Sequence, residues 1–321
     1  MKTSLKKILS IILPLALGVF LVYYAFNQFT PQQLNQIKEQ FKNANYFYIG
    51  ICTFFSIVSL ASRAYRWRFS LKHMGYSSNF ANNFMAVSIG YIMNLTIPRS
   101  GEISRALVLK NYNNIPFDKS FGSIIAERVI DFVVLLGFIF LALILQFSTL
   151  KDFLASTIPL EKLIYLVVIL TIIGLFGLYL LFFTNLKPMV FIREKVKGVT
   201  EGVLSVFKMK NRLEFLLHTV IIWASFVATF YFGMKTIDET AKLSFSIIVS
   251  SFVVGSLAVT FTNGGFGAFP LMISSILSIY GISLTGGTAV GWILWSSQTA
   301  IVIILGGLSF IFLPIFNKKL K

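Results

Sequence analysis

Long apolar runs separated by short polar connections recur along the whole chain. They fall at about residues 8–27, 46–65, 80–98, 121–147, 163–184, 214–235, 243–262, 266–282 and 287–313. About 20 apolar residues rising 1.5 Å each cross the ~30 Å hydrocarbon layer, so runs of this kind predict membrane-spanning helices. A transmembrane β-barrel would instead show short segments of alternating polarity. The pattern predicts an all-α polytopic membrane protein, with one transmembrane domain over residues 1–321. The first run, Ile8 to Phe26, is too long for the apolar region of a cleaved leader and reads as a retained span. Residues 185–213 form the long polar connection, carrying Lys187, Arg193, Lys195, Lys197, Lys208, Lys210 and Arg212.

Basic residues orient these segments, because Lys and Arg collect on the cytoplasmic side. Lys2, Lys6 and Lys7, then Arg63 to Lys72, then Lys110 and Lys119, then 185–213, then Lys318, Lys319 and Lys321 all predict cytoplasmic connections, with both termini inside. Connections with few basic residues, around Lys38 and Lys42, Lys151 and Lys162, and Lys235 and Lys242, predict the outer side. Segment 80–98 then lies between two cytoplasmic connections and cannot cross once. It is expected to enter, turn near Pro98 and Gly101, and return. Segments 243–262 and 266–282 pose the same problem from outside, with a turn at Thr262-Asn263-Gly264-Gly265. Two re-entrant hairpins and about six full spans result. Residues 1–147 and 160–313 would then be halves of opposite orientation, an inverted repeat of the kind found in transporters. The competing reading is eight or nine simple spans without symmetry.

Composition removes several classes. With 56% hydrophobic and 12% charged residues, no soluble catalytic domain is left over. The net charge of +16 tracks membrane orientation, so no nucleic-acid partner is expected. A lone Cys52 and two distant histidines, His73 and His218, offer neither a disulfide nor a metal site, and no cofactor is implied.

Candidate chemistry gathers in Ile97-Pro98-Arg99-Ser100-Gly101-Glu102-Ile103-Ser104-Arg105. Ionisable side chains inside the membrane cost ~3 kcal/mol or more, and they usually serve function. A helix starting after Pro98 would bring Arg99, Glu102 and Arg105 near one face. Its unpaired first N–H groups and two guanidinium forks would suit a phosphate, with Glu102 fixing the arginine rotamers. A second set is Glu127, Arg128 and Asp131: the carboxylates share a helical face. They are expected to pair internally with Arg99 or Arg105, to favour a helix N-terminus by position, or to supply a protonatable coupling group. The third set, Asn263, Gly264, Gly265, Phe266 and Gly267, lacks the ending of a nucleotide-binding loop and reads as an unwound turn exposing amides to substrate. Arg63, Arg66 and Arg68 around Trp67 read as an anchor at the headgroup level.

The order Pro98-Arg99-x-Gly101-Glu102-x-x-Arg105, Glu127-Arg128-x-x-Asp131 and Gly264-Gly265-x-Gly267 resembles the lysylphosphatidylglycerol synthase transmembrane-region family, often described as flippase-like. The likeness extends over roughly residues 10 to 315. Larger relatives, such as the multiple peptide resistance factors, append a cytoplasmic aminoacyl-transferase domain. None is expected in this chain, which ends at Lys321, and synthase activity is not carried over. Where relatives often carry an acidic residue after the glycine motif, this chain has Phe269-Pro270. The resemblance implies movement of a lipid across the bilayer: an anionic phospholipid or polyprenyl phosphate, in a bacterial inner membrane, without covalent catalysis. The alternatives are a membrane-embedded lipid-modifying transferase, for which Glu127 and Asp131 are the candidate groups, and an accessory subunit of an envelope-synthesis enzyme.

Overall fold

The computed structural model describes residues 29–97, 99–147, 208–262 and 264–318, with short pieces between 19 and 27 and between 165 and 190. The expected spans 8–27 and 163–184, most of the basic connection 185–213, and Pro98 and Asn263 lie outside the described residues. Among those described, the helices are α1 (Pro31–Asn43), α2 (Tyr46–His73), α3 (Phe80–Thr96), α4 (Ser100–Asn113), α5 (Phe117–Leu145), α6 (Arg212–Met234), α7 (Phe245–Phe261), α8 (Ala268–Ile279) and α9 (Leu284–Lys318). The chain divides into two compact units, Met1–Ile125 with Met209–Lys321, and Ala126–Lys208.

Helices α2, α5, α6 and α9 are long and apolar enough to cross a membrane. The protein is an all-α polytopic membrane protein. In the first unit, α2 and α6 pair antiparallel along their length. Asn45 donates its backbone N–H to the Thr236 carbonyl at 2.8 Å, Cys52 Sγ reaches the Thr229 carbonyl at 3.3 Å, and Arg66 Nη1 meets Thr219 Oγ1 at 3.1 Å.

The remaining helices are short. Helix α3 has 17 residues, or ~25 Å, and α4 has 14, or ~21 Å, each less than the hydrocarbon thickness. They fold back on each other. Asn82 Nδ2 bonds Asn113 Oδ1 at 2.9 Å near their outer ends. Toward the break the backbones touch at Gly90 and Gly101, where an added Cβ on Gly101 would strike the Gly90 carbonyl. Helices α7, again 17 residues, and α8, with 12, form the second hairpin. They close around Gly255, which faces Phe269 and Ile273 at 2.8 and 3.2 Å from its virtual Cβ. Gly90 and Gly255 each precede their break by about two turns.

Helix α9 runs beside both hairpins. Its Gly291 and Gly287 admit the α8 backbone at Pro270 and Ser274, its Gly306 admits Ile92 of α3, and Asn317 exchanges hydrogen bonds with Asn82 at 2.8 and 2.9 Å. Among the described residues two apolar cores result. One gathers α7, α8 and the first half of α9; the other gathers α2, α3, α4 and Leu313.

Helix α1 is absent from the run of apolar segments. It is short and polar, yet Pro31 occupies its first turn and Thr30 and Gln33 form a reciprocal capping box. Leu34, Ile37 and Phe41, at helical spacing, seat it on the core around α9.

Candidate functional site

The break between α3 and α4 is built by a left-handed residue. Ile97 caps α3 in an extended conformation, and Arg99 takes φ 60°, ψ 14° before α4 starts at Ser100. A left-handed arginine costs ~1–2 kcal/mol, so packing around the break holds it in place. Part of that hold comes from polar side chains. Asn94 Oδ1 accepts from the Gly101 N–H at 2.8 Å, and Ser100 Oγ lies 2.7 Å from the Ile97 carbonyl and 2.9 Å from that of Met93. Two consequences correct the sequence reading. Arg99 is the cap rather than a helical residue, so it does not share a face with Glu102 and Arg105. The N–H groups of Ser100 and Gly101 are already engaged, the former with the Ile97 carbonyl at 3.1 Å, so these two are not the unpaired donors that the sequence reading expected.

The motif divides by exposure. Arg99 is exposed, Glu102 is half-buried, and Arg105 is only 2% exposed. Arg99 and Arg105 are separated by ~9 Å along the axis. Arg105 lays its guanidinium over the Trp67 ring, 4.2 Å from the centroid, and its Cγ and Cδ rest on Gly90. The indole plane is itself fixed: Trp67 Nε1 donates to Ser123 Oγ at 2.8 Å, and Ser123 donates to the Ser120 carbonyl at 2.7 Å.

The second break uses glycines. Gly264, Gly265 and Gly267 take φ of 63°, 78° and 71°, a region that suits residues without a Cβ. The Gly264 carbonyl accepts from Trp295 Nε1 of α9 at 2.8 Å, and the Phe266 ring stands against Trp292 and Trp295. A Cβ on Gly264 would lie 2.7 Å from Leu95 Cδ2. The glycine break of the second hairpin thus touches the end of α3, beside the break of the first. Neither apolar periodicity nor charge spacing announces this meeting.

Arg63, Arg66 and Trp67 overturn their reading as a headgroup anchor. They are 3%, 0% and 0% exposed, and only Arg68 points outward. Arg66 reaches Thr219 and lies over Phe215 at 5.3 Å, while Arg63 lies over Tyr91 at 6.0 Å. The signal was present in α2: Ser59, Ser62, Arg63, Arg66 and Ser70 repeat at helical spacing and form a buried polar stripe. The basic charge of this cluster at a span end masks, in sequence, the buried face that carries it.

In the second unit, Glu127 is 1% exposed, Asp131 is buried and Arg128 is half-buried. The two carboxylates share the buried face of α5, as their spacing predicts. The helix begins at Phe117, with Asp118 in its first turn, so Glu127 and Asp131 lie about three and four turns inside. A macrodipole role, which decays within the first turn, does not account for them.

Comparison with known proteins agrees with the architecture. A UPF0104 membrane protein of Methanocaldococcus jannaschii is 32% identical over 108 residues, 33% of this chain and 32% of that one. A UPF0104 membrane protein of Pyrococcus horikoshii is 23% identical over 98% of both chains. Glycosyltransferase AglD of Haloferax volcanii is 35% identical over 82 residues, 25% of this chain and 13% of that protein. The first and last of these matches thus span less than a third of the relatives concerned. No solved structure matches the chain. The model of the lysylphosphatidylglycerol synthase TM region matches residues 11–307, and the chain belongs to that family.

Proposed function

We propose that this protein moves a phosphate-bearing lipid, an anionic phospholipid or a polyprenyl phosphate, across a bacterial inner membrane without changing its covalent structure. The observation that carries the reading is the meeting of the two broken hairpins, with Leu95 against Gly264 and the exposed Arg99 beside them. Broken helices that meet inside a bundle are the way inverted-repeat transporters place a substrate site near the bilayer midplane. Residues 1–147 and 160–313 would supply one hairpin each. Arg99 would take the phosphate of the head group as a fork of donors. Gly264, Gly265 and Gly267 would let the second break change shape as access alternates. The acyl or prenyl tails would stay in lipid, which avoids carrying a bare head group through hydrocarbon at a cost of several kcal/mol.

A second reading has one observation in its favour, the local match to a protein named as a glycosyltransferase. On that reading the chain is a membrane region serving envelope synthesis. Purified protein in liposomes, offered a panel of fluorescent phospholipids and polyprenyl phosphates, separates the two. Transport predicts leaflet exchange of one lipid class with recovered lipid of unchanged mass. A lipid of altered mass would instead support transferase chemistry, and no exchange of any member would remove the transport reading.

A further inference from the structure

Helices α2 and α6 run antiparallel, so the last turn of α2 stands beside the start of α6. Helix α2 has 28 residues, or ~42 Å, more than the ~30 Å hydrocarbon layer, which brings this end to the level of the head groups. A hollow of about 190 Å³ opens there, between Phe69, Lys72 and His73 of α2 and Met209, Lys210 and Asn211 leading into α6. Both lysines are exposed, and Arg68 is exposed one turn before Lys72. No carboxylate lines the hollow among the described residues. Glu214, in the first turn of α6, is exposed and accepts from Asn211 Nδ2 at 2.8 Å. The helix dipole accounts for Lys72 and His73, which end α2, but it opposes Lys210, which stands just ahead of a helix N-terminus.

Rings lead away from this basic hollow. Phe69, His218, Tyr65, Phe80 and Phe84 follow one another with centroids 5.8, 5.5, 4.4 and 5.9 Å apart. Tyr65 lies one turn deeper in α2 than Phe69, and Phe80 and Phe84 carry the row into the start of α3. Tyr65 is 39% exposed and the other four are half-buried, so the row is open along its length. It ends in an apolar groove of about 470 Å³ that Phe80 and Phe84 share with Phe312 and Phe316 of α9. Positive charge at the head-group level, continued by an apolar track into the membrane, matches a lipid rather than a small free anion. We propose that this surface binds an anionic phospholipid of the adjoining leaflet, its phosphate between Lys72 and Lys210 and one acyl chain along the rings. The site is separate from the break at Arg99: the row meets α3 at its first residue, Phe80, and Arg99 lies beyond its last, Thr96, ~25 Å along the axis. It does not depend on the transport reading.

Photolabelling tests this. The protein in phosphatidylcholine liposomes receives a trace of phosphatidylglycerol with a diazirine in one acyl chain, and labelled segments are mapped by mass spectrometry. The same chain on zwitterionic phosphatidylcholine reports bulk contact. The expected result is about tenfold stronger labelling of the Tyr65–Phe69 and Phe80–Phe84 segments by phosphatidylglycerol, falling to the phosphatidylcholine level in Lys72→Gln combined with Lys210→Gln. Lys38→Gln combined with Lys42→Gln, which removes two exposed lysines of α1, should leave the labelling unchanged, as should Arg99→Ala and excess inorganic phosphate. The four lysines are exposed, so these variants should melt with the wild type. Equal labelling by the two lipids in the wild type would overturn the proposal, and so would undiminished labelling without Lys72 and Lys210. An equal loss in the α1 variant would reveal general charge attraction and overturn it too. Abolition by inorganic phosphate would assign the hollow to a free anion, and loss in Arg99→Ala would merge it with the transport site; either result removes the separate lipid site.

Discussion

A buried guanidinium must be held in place by its surroundings, and for Arg105 part of that support is the Trp67 ring. The stack explains why lysine is a poor replacement: an ammonium is a compact, strongly hydrated point charge that cannot lie flat on an indole. Arg105→Lys is expected to lower stability by ~1–2 kcal/mol, the range of a desolvated cation–π contact, as read by thermal denaturation in detergent. Trp67→Phe should cost ~1 kcal/mol, because it removes the bond to Ser123 while Ser123 keeps the Ser120 carbonyl. Equal stability of both variants with the wild type would show that the stack holds nothing. Sequence reading identified Arg99, Glu102 and Arg105 as a group, and spacing alone could do that. It could not separate an exposed arginine from a buried one, because the left-handed turn at Arg99 removes that residue from the helical register. Arg63 and Arg66 were misplaced for a different reason, in that net basicity outweighed the periodicity of their polar neighbours.

Glycines show at which points the helices of the hairpins need close approach. Gly306 and Gly307 are adjacent in α9 yet differ in surroundings. A Cβ on Gly306 would come within 2.7 Å of Ile92 and 3.0 Å of the Ser88 carbonyl, and one on Gly307 would meet nothing within 4 Å. Gly306→Ala should destabilise by ~1–3 kcal/mol through overpacking against α3. Gly307→Ala should be neutral or stabilising by up to ~1 kcal/mol, as expected for an open helical glycine. Similar melting temperatures for the two variants would contradict the α3–α9 packing. The long spans were legible because a single property, apolar length, defines them. Both hairpins were legible only from the charge conflict around them. Helix α1 is short and amphipathic and leaves no apolar run, although Thr30, Pro31 and Gln33 form a start signal.

At the scale of the molecule, the two hairpins show corresponding parts: helices of 17 residues before each break, a close-contact glycine about two turns ahead of it, and positive φ at the turn. Opposite insertion of these parts is expected to show in labelling. In a Cys52→Ser background, Asn114→Cys should react with an impermeant thiol reagent only from the cytoplasmic side, and the exposed Asp238→Cys only from outside. Labelling of both from one side would remove the inverted arrangement. Opposed hairpins were inferable from the distribution of Lys and Arg, whereas the contact between Leu95 and Gly264 was not, since nothing local to either residue encodes a partner so distant in sequence. The central claim is that a lipid phosphate is handled where those breaks meet, and its most direct test is the rate of lipid exchange between leaflets in proteoliposomes made with Arg99→Ala, Arg99→Lys and the wild type. Arg99 is exposed, so its loss should leave the melting temperature nearly unchanged. The account predicts loss of exchange in Arg99→Ala and partial recovery in Arg99→Lys, because a point charge restores attraction without the bidentate fork. Exchange at the wild-type rate in Arg99→Ala, with protein folded and inserted, would contradict it.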